Sequence, residues 1–321
     1  MRILFVTSTR IGDAVLSTGL LAHLIERYPS ARITLACGPD AAPLFDAAPN
    51  IEQRITMTKR KWGLHWFDLW RRCIRVWWGW GMVVDLRGSV VAYFLPARKR
   101  RVYWGETGNR HRLYALAKAL RLREPPAPRV WTGPEHDAEA ARLVPEDGPV
   151  LGLGPTANWP GKIWPGENFV ELVERLTAAD GILAGARVAV FGAAGERPIA
   201  QPVLDAIPAE RRIDLVGTVD LLTAAAVLRR CALYIGNDSG LMHIAAAAGA
   251  PTLGLFGPSR AEIYAPWGPN TAVVKTAVPY EMLFPPDYDH RTTGTLMDSL
   301  SVDAVEDAAA ELWQRCLGEP G

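Results

Sequence analysis

Four small polar residues, Asn237 to Gly240, form the segment of this chain whose chemistry best suits a phosphate. The apolar run before them predicts a buried strand, and the apolar run after them predicts a short helix. A helix N-terminus presents unpaired backbone amides and a partial positive charge, and both favour an anion. In parallel α/β sheets, ligands bind beyond the carboxyl ends of the strands, where this turn is expected. The segment therefore predicts a nucleotide or sugar-phosphate site.

Asp13 is a second residue whose position could serve chemistry, because it follows Gly12 shortly after the first apolar run, Arg2–Thr7. That run predicts a strand, and the residues beyond the turn predict a helix that extends to about Tyr28. A carboxylate in the first turn of a helix interacts favourably with the free amides there. The residues alone favour this structural role, and a chemical role in a cleft is the alternative.

The two halves of the chain carry opposite charge, although the formal net charge of the whole is only +1. Residues 1–145 contain 23 Lys and Arg against 12 Asp and Glu, whereas residues 146–321 contain 12 against 22. This asymmetry predicts that the first half meets an anionic partner. The basic excess is concentrated in three clusters: Lys59 to Lys61, Arg71 with Arg72 and Arg75, and Arg98 to Arg101.

Segment 59–80 is also rich in tryptophan, and the spacing of Trp62, Trp66 and Trp70 predicts one shared helical face. Indole rings beside cations are typical of a membrane interface, where the rings lie at headgroup level and the cations meet anionic lipid. The alternative is that the indoles pack in the core and the cations are solvated. Either role could hold for only some of the six tryptophans: Trp62, Trp66, Trp70, Trp77, Trp78 and Trp80.

The composition is that of a globular protein, with 49% apolar and 21% charged residues among 321. No apolar run is long enough to span a bilayer, and the N-terminus enters a strand without a signal-peptide pattern. Four scattered cysteines indicate buried thiols in a reducing compartment. No His, Cys or Asp cluster predicts a metal site. We therefore expect a cytoplasmic protein, which would also be peripheral on the inner membrane face if its basic half meets lipid.

Predicted strands and helices alternate along both halves of the chain, which indicates an α/β protein with two doubly wound parallel sheets. Proline-rich breaks follow at residues 124–128 and 145–149. We place the domains at 1–147 and 148–321, with a last helix, 302–316, that could pack back on the first domain. A cleft between two such domains is the expected active site.

Four segments, taken together in this order and spacing, resemble glycosyltransferase family 9, the ADP-heptose:lipopolysaccharide heptosyltransferases. The resemblance covers almost the whole chain. It implies a GT-B fold, in which two Rossmann-like domains face a central cleft, with the acceptor mainly on the first domain and the nucleotide sugar mainly on the second. The segments are RIGDAVL at 10–16, NWPGKIWP at 158–165, FGAAGE at 191–196, and GNDSGLMH at 236–243 with FGPS at 256–259.

The resemblance implies that Asp13 is the general base of an inverting, metal-independent transfer. The carboxylate would take the proton of the acceptor hydroxyl as that oxygen attacks the anomeric carbon, by analogy with inverting glycosidases. No cofactor is expected, because the ADP-sugar is a substrate. The residues expected to bind the acceptor are Arg10, Gly12, Lys59, Arg60 and Lys61.

The resemblance also assigns a donor site to the second domain. Lys162 and the amides of the 239–241 turn would receive the charge that develops on the diphosphate. Glu196 would accept hydrogen bonds from the ribose, and Asp238 would cap the helix or bind sugar hydroxyls. Ile163 stands where many relatives have a second basic residue. The resemblance therefore does not imply that two cations of this loop bind the diphosphate. The complete donor set is Thr156, Lys162, Glu196, Asp238, Ser239, Gly240, Leu241, Met242 and His243.

The expected function is therefore the transfer of a heptose from ADP-heptose to the inner core of lipopolysaccharide, a phosphate- and carboxylate-rich glycolipid. An epimerase, or a transferase that uses another nucleotide sugar, is an alternative within the same fold. A non-catalytic protein that binds a nucleotide sugar is an alternative of another class. Basic charge alone would also permit a nucleic acid, which is not the expected partner.

Overall fold

The fold is described from a computed structural model, which covers residues 1–76, 79–105, 108–286, 288–289 and 292–318. The chain forms two compact units, Met1–Trp131 and Thr132–Gly321. Each unit is built on one parallel sheet, as the alternating sequence pattern predicts. Among the described residues, no helix combines the length and the apolar character needed to cross a bilayer.

The first unit contains a five-stranded sheet in the order β3-β2-β1-β4-β5, and every pair is parallel. Strand β1 lies in the middle, and four of its five residues are buried because helices or loops cover both faces of such a sheet. The elements are β1 (Arg2–Val6), α1 (Ile11–Arg27), β2 (Arg32–Cys37), β3 (Ile51–Thr56), α2 (Leu64–Cys73), β4 (Trp80–Asp85), β5 (Ala97–Val102) and α3 (Arg112–Ala119).

Strand β5 is formed by the basic cluster at residues 98–101, which the sequence pattern does not mark as a strand. It lies at the edge of the sheet, and among the residues that the structure describes β4 is its only partner strand. The Arg100 guanidinium donates hydrogen bonds to the carbonyl oxygens of Ala92 at 3.0 Å and Leu95 at 2.6 Å. An edge strand tolerates charged side chains, because one of its sides is not paired. This cluster therefore has a structural role in addition to its charge.

The predicted face of three tryptophans is interrupted, so that prediction is wrong. Trp62 and Gly63 both have left-handed backbone conformations, with φ of 59° and 71°, and α2 begins only at Leu64. Trp62 is 95% exposed, whereas Trp66 and Trp70 lie on α2 and pack against the core of the first unit. Trp66 and Trp70 are only half-buried, so the membrane-facing alternative remains open for Trp62 and for the exposed part of Trp70.

Of the remaining tryptophans of segment 59–80, the structure describes Trp80. Trp80 is buried in the core of the first unit, and its indole N–H donates to the carbonyl oxygen of Cys73 at 3.1 Å. Trp77 and Trp78 lie outside the described residues.

Of the four cysteines, Cys37 and two others are buried and Cys316 is half-buried. Burial raises the pKa of the Cys37 thiol to about 11.

The second unit contains a six-stranded, all-parallel sheet in the order β11-β10-β9-β6-β7-β8. Its core strands are fully buried. The elements are α4 (Pro134–Leu143), β6 (Val150–Gly154), α5 (Gly166–Thr177), β7 (Arg187–Gly192), α6 (Arg197–Ala206), β8 (Arg212–Val216), α7 (Leu221–Leu228), β9 (Leu233–Asn237), α8 (Gly240–Ala248), β10 (Thr252–Phe256), α9 (Ala261–Tyr264), β11 (Thr271–Lys275) and α10 (Val302–Gly318).

The boundary between the units falls at residues 131/132, earlier than the 147/148 expected from the second proline-rich break. The reason is α4, which packs against α7 of the second unit. Arg229 also forms an ion pair with Asp137 of α4, at 2.5 Å. The last helix, α10, packs against α5, β10 and β11 of its own unit, and Arg175 of α5 pairs with Asp303 at 2.7 Å.

Candidate functional site

The carboxyl ends of β6 and β9 form the natural ligand site of the second unit. These two strands are neighbours, and the chain leaves β6 toward β7 on one side and β9 toward β10 on the other. Ligands of open α/β sheets bind at such a point, where the strand order reverses. Thr156 follows β6, and the predicted phosphate turn follows β9, so the structure brings these two parts of the predicted donor site together.

Asn237 fixes the backbone at this point. Its side chain is fully buried, its carbonyl oxygen accepts a hydrogen bond from the Trp164 backbone N–H at 3.1 Å, and its amide donates to the Pro155 carbonyl at 3.0 Å. One side chain thus joins the loop after β6, the loop of Lys162 and the end of β9. Asn237 is not in the predicted donor set. The sequence does contain a signal for this role, because Asn237 is the one residue with a polar amide side chain in an otherwise apolar strand.

Lys162 and Asp238 form an ion pair, with 2.5 Å between the ammonium nitrogen and a carboxylate oxygen. The side chain of Asp238 is only 7% exposed and that of Lys162 is 21% exposed. The capping alternative for Asp238 is wrong, because the N-cap of α8 is Ser239 and the carboxylate is engaged by the lysine. A buried carboxylate needs such a cation, since an unpaired one would be strongly disfavoured.

The loop that carries Lys162 is held from a distant part of the sequence. The Leu296 N–H donates to the Gly161 carbonyl at 3.0 Å, and the Thr295 hydroxyl donates to the Ile163 carbonyl at 2.5 Å. The indole N–H of Trp164 donates to the Leu300 carbonyl at 2.8 Å. Segment 295–300 therefore supports the Lys162 loop. The sequence did not predict this role, because the composition of the segment does not indicate that it contacts a loop more than 130 residues away.

Glu196 and Thr156 contact each other, although each was predicted to bind the donor. The Thr156 hydroxyl donates to Glu196 Oε2 at 2.8 Å, and the Ala193 backbone N–H donates to the same oxygen at 2.8 Å. No described residue donates a hydrogen bond to Oε1 of this half-buried carboxylate. Glu196 is thus fixed in orientation and still has one oxygen for a ligand.

The turn that begins α8 presents Ser239, Gly240 and Leu241, which are all half-buried. Met242 is fully buried, and a Cβ atom built on Gly254 of β10 would lie 2.6 Å from its sulfur. Met242 belongs to the predicted donor set, and its side chain packs into the core. His243 is also buried, at 5% exposure.

The first unit holds a cavity of about 310 Å³ at its own strand-order reversal, between β1 and β4. Asp13 lines it from the first turn of α1. The N-cap of α1 is Arg10, and Asp13 forms no hydrogen bond or ion pair with any residue that the structure describes. Asp13 therefore lies in the first turn of α1, as the helix-start role predicts, without a capping hydrogen bond, and its carboxylate is available to a ligand in the cavity.

Arg87 and Arg112 line the same cavity. Asp85 shapes the turn before Arg87, because one carboxylate oxygen accepts the Arg87 backbone N–H at 2.8 Å and the other accepts the Ser89 N–H at 2.9 Å. Burial raises the pKa of Asp85, and these hydrogen bonds oppose that rise. Gly88 is required here, since its φ is 64° and a Cβ would lie 2.5 Å from the Tyr103 carbonyl oxygen.

The predicted acceptor residues are not among those that line the cavity. Arg10, Lys59, Arg60 and Lys61 are exposed, and Gly12 is half-buried beside Asp13. The Arg60 guanidinium pairs with the Asp68 carboxylate at 2.9 Å. Sequence reasoning missed Arg87 and Arg112 instead, because each stands apart from the basic clusters. A search of the described ranges finds no group of three side chains suited to hold a metal ion.

Two Rossmann-like parallel units, one with a phosphate-suited turn and the other with a carboxylate in a cavity, define the GT-B class of glycosyltransferase. Within this class, the model of glycosyltransferase family 9 (heptosyltransferase) matches residues 83–282. The chain belongs to that family.

Known proteins of the family are similar over almost the full length. Lipooligosaccharide heptosyltransferase 2 of Haemophilus influenzae is 26% identical over 319 residues, which cover 86% of this chain and 88% of the relative. A family 9 glycosyltransferase of Veillonella parvula has the same fold, with a TM-score of 0.79 and 21% identity over 98% of this chain and 97% of the other. An Escherichia coli heptosyltransferase solved with ADP-2-deoxy-2-fluoro heptose has a TM-score of 0.68 and 19% identity, over 97% and 99%. These likenesses confirm the predicted fold.

Proposed function

We propose that this protein transfers a heptose from ADP-heptose to an inner-core sugar of lipopolysaccharide, with inversion at the anomeric carbon. Family membership supports heptose as the sugar, and the Haemophilus influenzae relative supports a lipooligosaccharide acceptor. The ADP-sugar analogue in the Escherichia coli structure supports the donor. The single observation that carries the mechanism is an unpaired carboxylate, Asp13, in a cavity of the first unit.

In this proposal Asp13 acts as the general base. The acceptor hydroxyl oxygen forms a bond to the anomeric carbon of the heptose, while the bond from that carbon to the diphosphate oxygen breaks. The hydroxyl proton goes to the Asp13 carboxylate, and the electron pair of the broken bond leaves with ADP. Base assistance of this kind contributes roughly 10²–10⁴-fold to the rate. Inversion follows, because attack comes from the face opposite the leaving group.

Stabilisation of the leaving group is assigned to the second unit. Negative charge that develops on the diphosphate would be met by the Lys162 ammonium and by the amides at the start of α8. Asp238 would keep Lys162 in place between turnovers, because the two side chains are already paired. Glu196 Oε1 would accept a ribose hydroxyl. These groups supply the charge stabilisation without a metal ion, so we expect a chelator to leave the rate unchanged.

A further part of the proposal is peripheral binding to the inner face of the membrane. We define the aromatic surface as Phe67, Trp70, Tyr93, Phe94 and Trp104. Phe67 stacks on Trp70 at 5.6 Å, the Trp70 indole N–H donates to the Phe94 carbonyl at 3.1 Å, and Tyr93 stacks on Trp104 at 5.7 Å. Two aromatic pairs are therefore linked through the backbone of residues 93 and 94, and Phe94 is 68% exposed.

Charge supports an anionic bilayer as the partner of the aromatic surface. The first unit, residues 1–131, contains 22 Lys and Arg against 9 Asp and Glu. Arg71 and Arg72 are exposed on α2, the helix that also carries Phe67. Aromatic rings at headgroup level with cations around them are typical of peripheral membrane binding.

Vesicle sedimentation tests the membrane proposal. We expect the protein to sediment with vesicles of anionic lipid and much less with vesicles of phosphatidylcholine. The double variant Phe67→Glu/Phe94→Glu should lose sedimentation, whereas Met282→Glu, an exposed apolar residue of the second unit, should keep it. Equal sedimentation of both variants would assign binding to another surface.

An acceptor-dependent assay of ADP release tests the main proposal. ADP should appear only when ADP-heptose and a heptose-deficient core glycolipid are both present, and the product should have the inverted anomeric configuration by NMR. Modification of the nucleotide sugar without an acceptor would indicate an epimerase. Tight donor binding without any turnover would indicate the non-catalytic alternative. Calorimetry with ADP-, UDP- and GDP-sugars would identify another donor.

A further inference from the structure

We propose that Arg87 and Arg112 form an anion-binding subsite, which selects an acceptor that carries a carboxylate or phosphate group and places its hydroxyl beside Asp13. This inference rests on the proposed function, because it takes the cavity of the first unit as the acceptor site. The subsite lies apart from the exposed basic cluster Lys59 to Lys61, from which acceptor binding was expected.

Unused hydrogen-bond donors carry the inference. Arg87 Nη1 and Arg112 Nε are both buried, and among the described residues neither has a hydrogen-bond partner. Neither guanidinium forms an ion pair with a described carboxylate. Guanidinium donors that are removed from water are almost always satisfied, because an unmet donor costs free energy. Both arginines line the same cavity, so an oxyanion bound there is the partner that we infer for these donors.

Each guanidinium is also held in a fixed orientation. The Arg87 guanidinium carbon lies 4.8 Å from the centre of the Trp66 ring, and that of Arg112 lies 4.7 Å from the centre of the Tyr103 ring. Arg112 Nη1 donates to the Tyr103 hydroxyl at 2.5 Å. Stacking and hydrogen bonding occupy one part of each group and leave another edge for a ligand, which is how arginine recognises planar oxyanions.

The surroundings favour an anion as the occupant. Burial lowers the pKa of Arg87, so the protein holds this cation where water solvates it poorly. Asp85, the nearest buried carboxylate in sequence, accepts hydrogen bonds from backbone N–H groups and from the Ser89 hydroxyl. Asp13 is the carboxylate that lines the cavity with the two arginines. Asp85 also acts electrostatically on Arg87, so the role of an oxyanion on the ligand would be to accept the free guanidinium donors and orient the acceptor toward Asp13.

Acceptor kinetics test this subsite. We would compare the native core glycolipid, the same glycolipid after phosphatase treatment, and the glycolipid with its carboxyl groups reduced. The wild type should show a KM for one of the two altered acceptors that is about tenfold or more above the native value, which identifies the anion. Arg87→Gln and Arg112→Gln should raise the KM of the native acceptor by a similar factor and should no longer distinguish the altered one.

Three controls separate recognition from folding and from the proposed function. Arg123→Gln removes an exposed arginine of the first unit, away from the cavity and from the aromatic surface, and should leave the KM unchanged. The melting temperature and the Kd for ADP should be unchanged in the Gln variants, and Arg112→Lys should stay impaired because it keeps the charge but not the planar group. Unchanged KM values in Arg87→Gln and Arg112→Gln, with active wild type, would overturn the subsite alone.

Calorimetry with the deacylated core oligosaccharide keeps the test independent of turnover. If the wild type bound this oligosaccharide and the Gln variants did not, the subsite would stand even without measurable transfer. If the wild type and the variants bound it equally, or if none bound it, the subsite would be wrong. Absence of transfer to every glycolipid would count against the proposed function instead.

Discussion

The Lys162 ammonium lies 2.5 Å from the Asp238 carboxylate, so two residues 76 positions apart meet at the end of β9. Lys162 was predicted to meet the diphosphate, and Asp238 was predicted to cap the helix or to bind sugar hydroxyls. The structure shows instead that the cation at the candidate phosphate site is already neutralised by a buried partner. In the proposed donor complex, a diphosphate would share Lys162 with Asp238, and the carboxylate would control how much positive charge the donor meets.

A double-mutant cycle should reveal this coupling. Lys162→Met should lower the free energy of unfolding more than Lys162→Met/Asp238→Asn, because the single change leaves a buried carboxylate unpaired. We expect a coupling free energy of about 0.5–3 kcal/mol from urea unfolding. The exposed pair Lys275–Glu262, whose side chains are about half exposed, is the matched control and should give about 0–1 kcal/mol. Equal couplings for both pairs would contradict the importance of burial.

Asp13→Asn should abolish most of the transfer activity and leave the donor site intact. The amide has nearly the same shape as the carboxylate but cannot accept the proton, so kcat should fall by roughly 10²–10⁴-fold. The Kd for ADP, measured by calorimetry, should not change, because Asp13 and the predicted donor set belong to different units. Asp40→Asn, at an exposed position of the same unit, is the control. If Asp13→Asn had the same kcat as the wild type, Asp13 would not be the general base.

Asn237→Ala should destabilise the second unit, because it leaves the Trp164 N–H and the Pro155 carbonyl without their partner. Each buried group that loses its hydrogen bond costs about 1–3 kcal/mol, which urea unfolding would measure. Asn237→Asp keeps the acceptor but buries an unpaired carboxylate against the Pro155 carbonyl oxygen, so its effect should be at least as large. The Kd for ADP should rise in both variants, since the Lys162 loop loses its anchor. A fully stable Asn237→Ala would show that water replaces the amide.

His65 should make the first unit sensitive to mild acid. Burial and the nearby charges of Arg87 and Lys59 lower the pKa of this histidine below its ordinary value of 6.5. The unfolded chain therefore takes up a proton more readily than the native protein, and the free energy of unfolding should fall as the pH drops below about 6.5. His65→Gln should show a weaker decline in urea titrations between pH 7 and 5. An unchanged decline would assign the acid sensitivity to other groups.

The sheet core and the turn before α8 were predictable, because short apolar runs and glycine-rich turns are local signals. The location of Asp13 follows equally from the end of β1. By contrast, the Lys162–Asp238 pair, the support from segment 295–300 and the role of Asn237 depend on contacts between distant parts of the chain. No local pattern encodes them.

Local signals also failed where two interpretations competed for the same residues. The basic run at 98–101 was interpreted as a charged patch, but β5 shows that pairing with β4 determines its conformation. The tryptophan spacing predicted one helical face that includes Trp62. The left-handed backbone at Trp62 and Gly63 instead leaves Trp62 outside the helix, which begins at Leu64. Arg87 and Arg112 were missed because a single arginine gives no pattern until folding places two of them on one wall.

Strand β5 has a consequence for the solubility of the protein. As an edge strand, it presents unpaired backbone groups that could recruit a strand from another molecule, and its exposed side chains Arg98 and Lys99 oppose such an approach by charge repulsion. Replacement of these two cations by valine would therefore promote aggregation, whatever it does to ligand binding. Replacement by glutamate would change the sign of the charge and keep the edge protected.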